Sequence, residues 1–169
     1  MRVAALVALV IGAIALTPPE PSTTVFLVRH AEKEAEGADP SLNEAGRNRA
    51  KTLADVLADA GITAIYSSEF HRTQQTAAPL AERLGLKVTV IPGKNTDALV
   101  ARVRELRPGA RALIVGHSNT IPAVASRLTG AKAAEMSDSD FDRLYVATLR
   151  GTASGDLVVL HYGANVGSR

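Results

Sequence analysis

One stretch constrains the fold of this chain more than any other. Thr24-Val25-Phe26-Leu27-Val28 runs directly into Arg29-His30 and then into charge. A short apolar run, rich in β-branched and aromatic residues and bounded by polar ones, reads as a buried strand. Three more runs repeat the pattern: Ile62 to Ser67, Leu86 to Ile91 and Ala112 to Gly116. Helical spacing separates them. Leu53, Ala54, Leu57 and Ala60 share one face and Gly61 ends that helix, whose start is expected in a capping box at Ser41-Leu42-Asn43-Glu44. Phe70 to Leu84 is helical up to Gly85, and Pro79 inside it predicts a kink or two separate helices. Thr96-Asp97 is expected to cap a helix that runs to Leu106, and Thr120 to Leu128 forms another, with Pro122 in its first turn. Leu144 to Leu149 and Asp156 to His161 read as a final hairpin. This alternation predicts an α/β fold, a three-layer α/β/α sandwich around a mixed, mainly parallel sheet.

A chain of 169 residues with 46% hydrophobic residues forms one domain with a sizeable core. Aromatic residues are only 4%, so the core is built from Ala, Val, Leu and Ile. Lys+Arg 19 against Asp+Glu 17, with no basic block, argues against nucleic acid as a partner. No cysteine is present, which excludes disulfides, thiolate metal sites and cysteine nucleophiles. Residues 1–21 differ from the rest. Met1-Arg2 precedes an unbroken run of apolar residues and Gly from Val3 to Leu16, then Thr17-Pro18-Pro19-Glu20-Pro21. The run is short for a spanning helix and suits the core of an export signal, with an uncleaved membrane anchor as the lesser alternative. The folded domain is therefore expected over 22–169, outside the cytoplasm, in the periplasm or secreted.

Three places carry charge at the end of a strand or the start of the next helix. Arg29 and His30 end the first strand, Arg72 opens the helix after the second, and His117 ends the Ala112–Gly116 strand. In an open α/β sheet such ends share one crevice. Two arginines and two histidines around one point make an electropositive pocket, and Arg grips phosphate oxygens in a planar, two-toothed manner. Helix N-termini near Arg72 and after His117 add N–H donors, with Ser118 and Asn119 at hand. A neutral imidazole with one nitrogen fixed is a good nucleophile toward phosphorus. The pocket is thus suited to a phosphoryl group. A metal site built from His30, Glu32 and His117 is the less favoured reading, because the guanidiniums beside it repel a dication. Ser118 lacks the Gly-x-Ser-x-Gly elbow of a hydrolase nucleophile. His71 reads as an exposed bystander and His161 as structural.

Four segments resemble motifs of the histidine phosphatase superfamily, in its phosphoglycerate-mutase-like branch. They are Val28-Arg29-His30-Ala31-Glu32-Lys33, Leu42-Asn43-Glu44-Ala45-Gly46-Arg47, Tyr66 to Ala77 with Arg72, and Val115-Gly116-His117-Ser118. The resemblance covers Thr24 to Leu160 in order and spacing, at the size of the small phosphohistidine-phosphatase type. It implies a phosphoglycerate mutase-like fold, and a phosphomonoester hydrolase that forms a phosphohistidine at His30, without metal or cofactor. Arg29, Arg72 and His117 then complete the phosphate pocket. Substrates are expected among phosphorylated small molecules or phosphoproteins. Two departures matter. Ala31 stands where the family has Gly, and the region after the third strand offers no Glu as general acid. Asp97, Glu32 and Asp39 are the available carboxylates. A lid this short favours a phosphatase over a mutase, which must keep water from its intermediate. Binding of phosphate or a phospho-ligand without turnover remains the alternative, and oligomeric state is not legible.

Overall fold

The computed structural model describes residues 21–151 and 154–163. The apolar run Val3 to Leu16 and the tail after Gly163 lie outside the described residues. In chain order the elements are β1 (Thr23–Arg29), α1 (Glu44–Leu57), β2 (Ala64–Ser67), α2 (His71–Leu84), β3 (Val88–Val90), α3 (Thr96–Arg104), β4 (Arg111–Gly116), α4 (Ile121–Thr129), β5 (Arg143–Arg150) and β6 (Ser154–His161). The six strands form one sheet in the order β3-β2-β4-β1-β5-β6. The four strands from β3 to β1 run parallel, and β5 and β6 add antiparallel pairs at one side. This is the mixed, mainly parallel sheet that the alternating pattern predicts.

Helices cover both faces, so the central strands are buried on both. Val25 and Leu27 of β1, with Ala112 and Ile114 of β4, pack against α3 and α4. The alternate residues Val28, Leu113 and Val115 pack with Leu53 and Leu57 of α1 and Ala77 and Leu80 of α2. Period-2 alternation thus divides each strand between two cores. The chain leaves β1 toward α1 on one face and leaves β4, its parallel neighbour, toward α4 on the other. Between the two C-terminal strand ends a crevice opens, the place where open α/β sheets bind ligands. Arg29 pairs in register with Gly116, and His30 N donates to the Gly116 carbonyl at 2.9 Å.

Two local expectations are corrected and a third is narrowed. Asn43, not Ser41, caps α1: its side chain accepts from Gly46 N at 2.9 Å. A bridge between Lys33 and Leu42 keeps the chain extended there, so the helix cannot start at Ser41. Glu44 is accordingly in the first turn rather than the capping-box position. Asn95, not Thr96-Asp97, caps α3 by accepting from Ala98 N at 3.0 Å. One helix, α2, runs through Pro79 without dividing.

Gly46 lies where α1 meets the loop after β1. A Cβ built there sits 2.0 Å from the Glu32 carbonyl oxygen, a backbone atom that cannot swing aside. An exposed Gly→Ala change inside a helix normally stabilises by about 1 kcal/mol. Gly46→Ala is expected to do the opposite and destabilise by about 1–3 kcal/mol through overpacking. Urea unfolding of the variant and the wild type measures this, and an unchanged or raised midpoint contradicts it.

Candidate active site

The crevice holds a cavity of about 370 Å³ lined by His30, Glu69, Arg72, Lys94, His117 and Asn119 among others, with Ser118 also on its wall. Each strand end contributes as its sequence position implies. His30 follows the last residue of β1 and is 4% exposed. Its Nδ1 lies 2.8 Å from the Ala31 carbonyl, an acceptor only, so Nδ1 carries the proton and Nε2 presents a free lone pair. The Ala31 peptide is itself fixed, since its N–H donates to Thr76 Oγ1 at 3.0 Å. Thr76 in turn donates to the Arg72 carbonyl at 2.7 Å. A single chain of hydrogen bonds therefore sets both the tautomer of His30 and the helix turn that carries Arg72. Ala31 is fully buried in this position, and no non-Gly residue among those described has a positive φ, so Ala serves where the family has Gly.

His117 stands with its ring centroid 5.4 Å from that of His30, edge to face. Ser68 Oγ lies 3.0 Å from its Nε2 and 2.9 Å from Thr73 Oγ1, which orients the ring. Phe70 packs against the same ring at 5.3 Å. Burial, with the positive charges of Arg29 and Arg72 nearby, lowers the pKa of His30 to about 3. Burial and then Arg72 lower that of His117 to about 4. Both rings are neutral at ordinary pH.

The two guanidiniums are held from outside the cavity. Arg29 donates from Nη1 to the Ser137 carbonyl at 2.8 Å, faces Asp138 at 3.7 Å and stacks on Phe141 at 4.3 Å. Arg72 stacks on Phe70 at 4.3 Å and meets Asp39 at 3.4 Å. Asp39 also accepts from His71 N with both oxygens at 3.1 Å, which caps α2 from a distant loop. What remains is informative: Nε of Arg29 and Nε of Arg72 are both buried without a hydrogen-bond partner. Buried polar groups are otherwise almost always paired with protein or ordered water.

The structure thus brings Arg29, His30, Arg72 and His117 together and places Ser118 and Asn119 on the cavity wall. Two expected carboxylates are elsewhere. Asp97 is on the exposed first turn of α3, paired with Arg127. Glu32 is buried, and both its oxygens accept from Arg49 Nε, at 2.9 and 3.0 Å. With Glu32 so engaged, the set His30, Glu32 and His117 does not converge on a metal position. His71 is exposed beside Asp39, and His161 pairs with Asp142 at 3.1 Å on β6. Ser68, Thr73, Thr76 and Phe70 sit inside the Tyr66–Ala77 motif but carry no signal that separates them from helix-start residues. Glu69 was missed although it ends a strand-to-helix turn in the same way as His30 and His117.

Residues 25–95 match the family model described as histidine phosphatase superfamily (branch 1). Over that stretch the chain is similar to that superfamily, and the match spans less than half of the chain. It is 38% identical over 92 residues to a probable phosphoglycerate mutase GpmB of Yersinia enterocolitica, covering 50% of this chain and 39% of the relative. It is 41% identical over 71 residues to phosphoserine phosphatase 1 of Hydrogenobacter thermophilus, covering 38% of this chain and 34% of the relative. The chain thus spans less than half the length of either relative. In fold it is similar to the protein histidine phosphatase SixA complexed with tungstate, with a TM-score of 0.71 at 19% identity over 82% of this chain and 96% of that one. A mycobacterial glucosyl-3-phosphoglycerate phosphatase gives 0.65 at 18% identity, over 84% of this chain and 100% of that one.

The neutral histidines have a measurable consequence. A histidine whose folded pKa is below its unfolded value of about 6.5 leaves stability intact above that pH. As pH falls below about 6.5 the unfolded chain takes up protons that the folded one refuses, and stability declines toward the folded value. For His30 the slope approaches about 1.4 kcal/mol per pH unit between pH 6 and 4. His30→Asn keeps a donor toward the Ala31 carbonyl and removes the titration. In phosphate-free urea titrations the variant is expected to lose less stability than wild type between pH 7 and pH 4. Parallel losses contradict a neutral buried His30.

Proposed function

We propose that the protein is a phosphomonoester hydrolase that works through a phosphohistidine at His30 and needs no metal. The observation that carries this reading is the convergence of Arg72, His117 and an imidazole whose free nitrogen is Nε2 on one open cavity, with Arg29 beside them. A phosphoryl group in that cavity meets the positive charge of both arginines. Nε2 of His30 attacks phosphorus, the ester oxygen departs, and water releases the phosphate. Transfer of a phosphoryl group needs position and charge compensation above all, and the arginines supply both. Low pKa values suit this use, since a neutral ring is nucleophilic and a protonated one is not. The connection between β3 and α3 is short, so water reaches the site, which favours hydrolysis over a mutase cycle. Substrates are phosphorylated small molecules or phosphoproteins that enter an open crevice.

Brief incubation with a radiolabelled phosphomonoester, followed by a denaturing quench at high pH, is expected to leave label on the wild type and none on His30→Ala. Turnover by His30→Ala at the wild-type rate rules the mechanism out, and wild-type binding of phosphate without turnover favours a binding protein instead.

We also propose export directed by residues 1–21. The N-terminal sequence of protein recovered outside the cytoplasm is expected to begin close to Ser22. A retained Met1 means an uncleaved anchor.

A further inference from the structure

We propose that Glu69 is the carboxylate that carries the leaving-group proton in this pocket. The proposal rests on the phosphatase reading above. A departing alkoxide needs a proton, and the phosphate-holding groups are poor donors: both histidines are neutral and the guanidiniums do not deprotonate. Glu32 is locked to Arg49, Asp97 is held by Arg127 on α3, and Asp39 accepts from His71 N and faces Arg72. Among the described residues that line the cavity, Glu69 is the one carboxylate.

Its position is fixed rather than incidental. Glu69 ends the turn from β2, and its Oε2 accepts from Gly93 N at 2.7 Å, which ties the β2–α2 turn to the β3–α3 turn across the cavity mouth. A Cβ at Gly93 would be 3.5 Å from Glu69 Oε2 and 3.7 Å from His117 Cδ2. Gly93 thus lies close to both the carboxylate and the imidazole. The carboxylate is exposed and lines the same open cavity as His30.

The charges around it set its resting state. Hydrogen bonds from the Gly93 amide first and then from its own backbone amide, with Lys94 nearby, hold its pKa below the usual carboxylate value. Arg72 lines the same cavity, and Asp39 meets it from the loop after β1. Glu69 is therefore ionised before substrate binds, and the proton arrives with the substrate as the phosphomonoester monoanion. That proton passes through Glu69 to the ester oxygen as Nε2 of His30 bonds to phosphorus and the P–O bond breaks. The alcohol leaves neutral. In the second step water bonds to phosphorus and gives one proton to Glu69. The N–P bond breaks, its electron pair returns to Nε2, and Glu69 passes the proton to the departing phosphate. The sum is monoester monoanion plus water to alcohol plus dihydrogen phosphate.

Glu69→Gln keeps an acceptor for Gly93 N and removes the proton carrier. The test is kcat/KM over a series from alkyl phosphates to p-nitrophenyl phosphate, for the wild type, Glu69→Gln and His30→Ala. General acid–base groups contribute about 10²–10⁴-fold. Glu69→Gln is expected to fall at least about 100-fold on the alkyl esters and less than about threefold on p-nitrophenyl phosphate, whose leaving group needs no proton. Restoration by Glu69→Asp supports the same role. A Glu69→Gln profile parallel to wild type, with His30→Ala inactive, overturns the role of Glu69 and leaves the phosphatase reading standing. A wild type that turns over no member of the series overturns both.

Discussion

The parallel pairing of β1 with β4 is the constraint on which the rest of the molecule depends. It places Arg29 beside Gly116 and lets His30 N bond the Gly116 carbonyl, so the two histidine-bearing loops start from one point. The flanking connections then leave toward opposite helical layers. A crevice opens above the strand ends, where this topology places it. Strand β2 joins β4 on its far side and delivers Ser68 and Arg72 to the same rim. A one-residue slip of β1 against β4 would exchange its two buried faces and turn His30 away. The fully buried Val25, Leu27 and Val28 make that slip costly, so packing of the core fixes the chemistry of the rim.

The site sets like charges close together and prevents mutual repulsion by keeping two of them uncharged. Four protonated side chains around one cavity would repel strongly at low effective dielectric. Burial resolves this in favour of the arginines, which stay protonated, and the histidines give up their charge. Each guanidinium is steadied from behind, Arg29 by the Ser137 carbonyl and the Phe141 face, Arg72 by Asp39 and the Phe70 face. Arg72 lines the cavity, and Arg29 stands beside it against His30. A phosphate ester entering this cavity meets charge already oriented, with little left to reorganise.

The fold and the four central side chains were legible because they follow periodic rules. Apolar runs mark strands, and charged residues at their ends mark a rim whatever the length of the loops between. The carboxylates were not legible, because their roles depend on partners distant in sequence. Glu32 follows the nucleophile by two residues, yet its fate is decided by Arg49 in α1. Asp97 lies in the right region of the chain, but the cap at Asn95 turns it outward to Arg127. Glu69 ends a strand-to-helix turn as the two histidines do, but its partner, Gly93 in the β3–α3 turn, is distant in sequence. The capping error has the same origin: Ser41 satisfies the local pattern, and the Lys33–Leu42 bridge overrides it.

The buried pair of Glu32 and Arg49 gains its meaning from this arrangement. Such a pair adds little net stability, since the cost of removing both charges from water offsets their attraction. Its value is geometric. Arg49 donates to Glu32 and, through Nη1, to the Tyr162 carbonyl at 3.1 Å, just after β6. The Glu32 carbonyl meanwhile accepts from Asn43 N at 3.1 Å and presses on Gly46. The residue two positions after His30 is thereby fastened to the start of α1 and to the end of the sheet. Ala31, between them, has one bond to His30 and one to Thr76 and no freedom to rotate. The carboxylate closest in sequence to His30 therefore serves to hold the His30 loop still, which leaves the proton carriage proposed above to a carboxylate that can meet solvent.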